Sequence, residues 1–166
     1  MRIERQKNEF KGNSKGYILD YSNSFLLLQE VDDFRVLGFL IIPIETISGV
    51  RFNKDDKYQD KIMFWEKQKE KIGITYKIDL TNWNTVFQSI KATGHNVIIE
   101  GEALNDGYFT IGPIKRVAKN AVSIQYVSTG GFLEMPLDKI DYTDITIVQF
   151  NDRYIDIFSK YLRVKK

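Results

Sequence analysis

Apolar and polar residues alternate with a period of two over most of the chain, and turn residues break the runs, so the pattern predicts strands more often than helices. Tyr17 to Tyr21 and Phe25 to Val31 read as a hairpin across "SNS". Phe39 to Ile42 follows the turn in "DDFRVLG", and Ile47 to Phe52 follows Pro43. The period then changes. In "KDDKYQDKIMFWEKQKEK", Tyr58, Ile62 and Trp65 recur at helical spacing, which predicts an amphipathic helix docked on the sheet by that aromatic face. Adjacent helical residues point about 100° apart, so Phe64 and Met63 fall on its flank, where they either widen the buried face or contact another subunit. "GITYKIDL" alternates again, with Ile74, Tyr76, Ile78 and Leu80 on one side. In "TNWNTVFQSIKATG" a second helix is predicted: Thr81 or Asn82 caps it, Trp83, Val86, Phe87 and Ile90 form its stripe, and Gly94 ends it. A third stripe, Tyr154, Ile157, Phe158, Tyr161 and Leu162, predicts a C-terminal helix.

The second half of the pattern echoes the first. Gly16-Tyr17-Ile18 lines up with Gly112-Pro113-Ile114, and Leu26 to Leu28 with Val122 to Ile124, at an offset of 96 residues. "ISGVRFN" from Ile47 matches "ITIVQFN" from Ile145 at an offset of 98. A Gly-led strand, a hairpin, a Pro-containing strand and an "I-x-x-V-x-F-N" strand occurring twice predict duplicated small β-barrels or one pseudo-symmetric sheet system. The expected fold is therefore mainly β with accessory α. It comprises two Sm-like or SH3-like half-barrels and three amphipathic helices, with residues 1–80 forming the first unit and 81–166 the second.

Length and composition fit this picture: 166 residues with 43% hydrophobic and 13% aromatic content can bury a sizeable core. No apolar run has membrane length and the start has no signal-peptide core, which predicts a cytoplasmic protein without membrane contact. The absence of cysteine excludes disulfides, a thiol nucleophile and cysteine-ligated metal. Against 24 basic residues stand 22 acidic ones, a net charge of +2, so a nucleic-acid footprint would have to be local. The ends are richer in base: Arg2, Arg5, Lys7, Lys11 and Lys15 at the start, and Lys160, Arg163, Lys165 and Lys166 at the finish. Both read as solubilising tails.

Catalytic chemistry finds little footing. The single histidine, His95, follows a helix-stopping glycine and reads as a solvent-facing loop residue, with Glu100 and Glu102 the nearest carboxylates in sequence. There is no nucleophile elbow, phosphate loop or dinucleotide fingerprint. Asp106-Gly107 reads as a turn, and Asp138, Asp141 and Asp144 as solvated or capping residues rather than metal ligands. No cofactor is expected.

The stretches "GYILDYSNSFLLLQEVDDFRVLGFLIIPIETISGVRF", "IDLTNWNTVFQSI" and "YFTIGPIKRVAKNAVSIQYVSTGGFLEMPLDKIDYTDITIVQFNDRY" together resemble a widespread group of uncharacterised bacterial proteins. That resemblance covers nearly the whole chain and implies the two-part architecture; it brings no activity or cofactor. The first half also resembles Sm-like barrels, in which an Asp and an Asn flank a residue that stacks on a base. Asp20, Tyr21 and Asn23 would take those parts. The match is loose, since in the second hairpin Asp20 corresponds to Arg116 and the Asp-Asn pair is lost. A tight turn is the plainer reading of "SNS".

The expected function is a non-catalytic binding or regulatory protein whose partner is another protein, contacted through exposed aromatics such as Phe64 and through sheet edges; a homo-oligomer is compatible with this. The alternative is a single-stranded RNA or oligonucleotide-binding module using Asp20, Tyr21, Asn23, Arg116, Lys119 and the basic ends, with binding that is weak and vanishes near physiological salt. An enzyme is a distant third.

Overall fold

A computed structural model describes residues 1–104 and 107–163 and is mainly β, with two antiparallel sheets and three α-helices. The first half contributes β1 (Arg2–Lys7), β2 (Phe10–Tyr21), β3 (Phe25–Asp32), β4 (Arg35–Pro43), a 3-10 turn (Ile44–Thr46), β5 (Ile47–Arg51) and α1 (Lys54–Trp65). A 3-10 turn at Gln68–Lys71 and an extended segment lead to α2 (Trp83–Thr93). Then come β6 (Val97–Glu100), β7 (Phe109–Gly112), β8 (Ile114–Val117), β9 (Ala121–Ile124), β10 (Asp138–Asp141), a 3-10 turn (Tyr142–Asp144), β11 (Ile147–Phe150) and α3 (Arg153–Lys160). The large sheet runs β5-β1-β2-β3-β4-β11-β6-β7 and the small one β10-β9-β8. Among the described residues no helix is long and apolar enough to cross a membrane.

The two halves meet where β4 pairs antiparallel with β11, Ile41 opposite Val148 and Phe39 opposite Phe150. Because β3, β4, β11 and β6 are covered on both faces, they read as continuous apolar runs rather than alternating ones. Leu27, Phe39, Ile41, Val148 and Phe150 join Val86, Phe87 and Ile90 of α2 in the main core, while Leu26, Leu28, Leu40 and Ile42 point into a second cluster with Ile3. The main core thus takes side chains from both sides of Thr81.

Local geometry recurs along the chain. The β2–β3 register slips between Ile18 and Asp20, and the β8–β9 register slips between Ile114 and Arg116. A Cβ on Gly16 would collide with the Gln29 carbonyl, and one on Gly112 with that of Gln125. Ile44 N donates to Ser24 O (2.9 Å) just as Tyr142 N donates to Asn120 O (3.0 Å).

Several expectations from the sequence are corrected. The basic start is no tail: it forms β1 and the beginning of β2, and Arg5 is only 6% exposed, because its guanidinium donates to both carboxylate oxygens of Glu102. The aromatic face of α1 does not dock. Asp56 and Met63 are its buried residues, whereas Tyr58, Phe64 and Trp65 are 59%, 67% and 63% exposed. In α3 and the two residues after it, Ile155, Phe158 and Leu162 point inward, and Tyr154, Ile157 and Tyr161 face out. Residues 74–80 keep the alternation, with Ile78 and Leu80 buried, but pair with no strand. His95 is half-buried against the Tyr76 ring, centroids 5.9 Å apart, rather than solvent-facing. Arg163 of the basic finish lies over Phe132, 4.7 Å from the ring centre, and its N–H donates to Gly131 O. Asp106, Lys165 and Lys166 fall outside the described residues.

Candidate aromatic cleft and outward aromatic face

The β2–β3 turn is built by Ser22. Its hydroxyl donates to Leu80 O (2.7 Å) and accepts from the N–H groups of Ser24 and Phe25, tying the tip to the segment that precedes α2. This leaves Asn23 exposed with no hydrogen-bond partner among the described residues. Beside it opens a cleft of about 370 Å³ lined by Asn23, Phe25, Pro43, Glu45, Trp83 and Tyr142, with Ser24 and Thr143 at the rim.

The aromatic wall is set by α2. Asn82 caps the helix through a reciprocal pair of hydrogen bonds with Thr85, which puts Trp83 in its first turn. Trp83 stacks on Phe87 at 5.5 Å and tilts against Phe25 at 4.5 Å. Tyr142 stacks on Phe87 at 5.8 Å and tilts against Trp83 at 6.4 Å, so the three rings form a triangle, and its hydroxyl donates to Ala118 O (2.9 Å). Burial pushes the Tyr142 hydroxyl above its ordinary pKa. Lys7 spans the rim: its ammonium reaches Glu45 at 3.3 Å and donates to Thr143 O at 2.9 Å. Among the described residues of the lining Glu45 is the only acidic or basic one, and Lys7 pairs with it, so the cleft offers aromatic faces and a free amide rather than a cationic cradle. Chemically it suits a flat, uncharged group whose edge the Asn23 amide can read.

A second feature lies on the far side of the first half. Asp33 and Phe34 form the two-residue turn between β3 and β4, with φ of +44° and +57°. Such a turn favours Gly at its second position, and a bulky residue there is strained by about 1–2 kcal/mol. Phe34 is nonetheless there, and it is 45% exposed. Phe34, Arg35, Ile62, Glu66 and Gln68, with Asp33, enclose an open hollow of about 390 Å³ between this turn and the end of α1. Tyr58 and Trp65 lie on the same side of the helix as Ile62, about one turn before and one turn after it, so the hollow borders an aromatic helix face.

Of the residues singled out in the sequence, only Asn23 reaches the cleft. Asp20 is exposed and accepts from the Tyr21 N–H (2.8 Å), and Tyr21 is 74% exposed beyond the cleft. Arg116 lies on β8 and Lys119 in the turn after it, both exposed. Phe64 is exposed on α1. Trp83, read as part of a core stripe, and Tyr142, which sits among acids with no stripe, were not anticipated as site residues. Their convergence depends on α2 and the 3-10 turn after β10 meeting across the sheet, which no local pattern signals. Among the described residues no group of three or more His, Asp or Glu is placed to hold a metal ion. No family model matches the chain, and no curated protein or solved structure does either.

Proposed function

We propose that this is a non-catalytic binding protein composed of two copies of a small Sm-like or SH3-like barrel, and that what it binds is another protein. The two-copy reading is supported by the shared register slip, the paired close approaches at Gly16 and Gly112, and the equivalent 3-10 turns. The observation that carries the protein-binding reading is Phe34: a large exposed aromatic in a backbone conformation that favours glycine. Strain of this kind persists where function selects the side chain. The rim of its hollow mixes Asp33 and Glu66 with Arg35, which suits the mixed charge of a polypeptide better than a polyphosphate.

The test is capture from bacterial lysate by the full chain, with and without nuclease, alongside Phe34→Gly and Trp65→Ala. A nuclease-resistant protein partner that the two variants lose, while Phe34→Gly melts no lower than the native chain, is the expected result. Captured material that disappears with nuclease, or a partner indifferent to both substitutions, would sink the reading.

A second reading, a single-stranded oligonucleotide site, is favoured by the free Asn23 amide beside Trp83. With no basic residue among the described residues that line the cleft, its affinity is expected to be weak and to vanish near physiological salt. Fluorescence anisotropy of a labelled single-stranded RNA at low and physiological salt checks it. Tight, salt-resistant binding lost in Asn23→Ala would displace the protein-partner proposal.

A further inference from the structure

We infer that the chain associates head to tail with copies of itself, the free edge of β5 in one molecule pairing antiparallel with the free edge of β10 in the next. The inference rests on the two-copy reading above and names a partner for its sheet edges. Among the described residues both strands end a sheet, β5 bonding only to β1 and β10 only to β9.

The internal junction supplies the template. There Val148 lies opposite Ile41, Gln149 opposite Leu40 and Phe150 opposite Phe39, and the Phe39 and Phe150 rings stand 5.3 Å apart. β10 holds the place in the second half that β4 holds in the first: Leu26 pairs with Ile42 as Val122 pairs with Ile140, and Leu27 with Ile41 as Ser123 with Lys139. β5 likewise corresponds to β11 through "ISGVRFN" and "ITIVQFN". The 3-10 turns before the two matching segments agree in detail, since Ile47 (φ −83°, ψ 114°) and Ile145 (φ −78°, ψ 125°) close them in the same conformation.

At equivalent positions the two strands differ sharply in burial. Val148 and Phe150, at the junction, are 0% exposed; Val50 and Phe52, at the free edge, are 60% and 49% exposed. An apolar edge of this kind is a template for strand pairing unless something covers it. Carried over to two molecules, the junction sets Val50 opposite Lys139, Arg51 opposite Asp138 and Phe52 opposite Leu137. The middle pair is oppositely charged, and the apolar stem of Lys139 covers Val50. Each member of that pair also holds a partner in its own chain, Arg51 meeting Asp56 at 3.4 Å and Asp138 accepting from the Thr110 hydroxyl at 2.8 Å. The ladder stops after Leu137, because the counterpart of Gly38 is Pro136. Gly38 lets the chain pass close to the Phe150 carbonyl, where its Cβ would come within 2.7 Å; Pro136 has a full side chain and no N–H to donate. Since the two edges differ, the contact is heterologous, and repeated copies close into a ring or continue as a filament.

Sedimentation velocity on the full chain over a wide concentration range tests this. The expected result is a mass that rises to a multiple of the single chain, and a single-chain mass for Val50→Lys/Phe52→Lys, whose circular dichroism and melting match the native chain. Val50→Lys alone, which sets two lysines opposite each other, should weaken association about fivefold, and adding Lys139→Glu should restore it, a rescue that general damage to the fold would not produce. A single-chain mass at every concentration, or an assembly that Val50→Lys/Phe52→Lys leaves intact, overturns the inference. A single-chain species that still captures a nuclease-resistant partner through Phe34 would overturn self-pairing alone. An assembly that captures nothing would instead count against the Phe34 reading and leave the edge pairing standing.

Discussion

α1 and α2 have nearly the same length, and each carries large apolar residues at helical spacing, yet α2 buries its stripe and α1 turns its aromatics outward. α2 lies in the angle between the large sheet and the β8-β9-β10 sheet. Val86, Phe87 and Ile90 are there enclosed by Phe25, Ile41, Val122 and Ile124. α1 instead rests on one side of the sheet through polar anchors. Asp56 meets Arg51 at 3.4 Å, Asp60 accepts from Lys69 (2.7 Å) and from the Tyr17 hydroxyl (2.8 Å), and Met63 is the single apolar residue pressed inward. Period tells which residues share a face. It does not tell which face will be covered, because that depends on what the rest of the chain brings alongside.

The contrast is broken most directly by Phe87→Ala, which removes a fully buried ring packed on both Trp83 and Tyr142 and should cost about 3–5 kcal/mol. Chemical denaturation measures it, and a loss below 1 kcal/mol would mean that α2 is not the centre of the core. On α1, Asp60→Ala strands the Tyr17 hydroxyl and Lys69 and should cost about 1–2 kcal/mol.

Acidification should separate the two helices as well. The backbone N–H of Asn53, with Arg51, holds the Asp56 carboxyl below the ordinary aspartate range. At Asp60 burial pushes upward, but the hydrogen bonds from Lys69 and Tyr17 outweigh it and the net shift is also down. A depressed folded-state pKa stabilises above the unfolded value of about 3.9 and loses that contribution as pH falls below it. Hydrogen exchange of α1 should therefore accelerate on acidification before that of α2, and Asp60→Asn should shrink the difference. Equal acceleration in both helices would mean that the carboxylates do not anchor α1. The smallest effect is expected from Trp65→Ala, whose ring is 63% exposed: within about 0.5 kcal/mol of the native stability by thermal melting. A larger loss would show that the outward face packs on its own chain.

Legibility varied along the chain for reasons that can be named. α2 was readable throughout, since Asn82, the four stripe residues and Gly94 are all local signals, and Gly94 takes the left-handed conformation (φ +78°) that a helix end favours. The "SNS" turn was readable too, but its working residue is Ser22, and Asn23 is left free for the cleft. β1 was hidden because its buried residues, Ile3 and Arg5, include a cation whose partner Glu102 is far along the chain. Alternation without pairing misled at residues 74–80, where an extended segment lies over the core and has no neighbouring strand.

By itself the sequence determined the mainly β class, the hairpin at Ser22 to Ser24, the caps and stripe of α2 and the exclusion of cysteine chemistry, because each depends on residues close in sequence or on composition. Tertiary structure alone decided that α1 and α3 turn aromatics outward, that Trp83 and Tyr142 converge beside Asn23, and that β4 joins β11 while β5 and β10 stay at sheet edges. Burial and strand partnership are relations between distant segments. Val50 and Val148 have the same side chain in the same motif, and only the strand beside them makes one exposed and the other core.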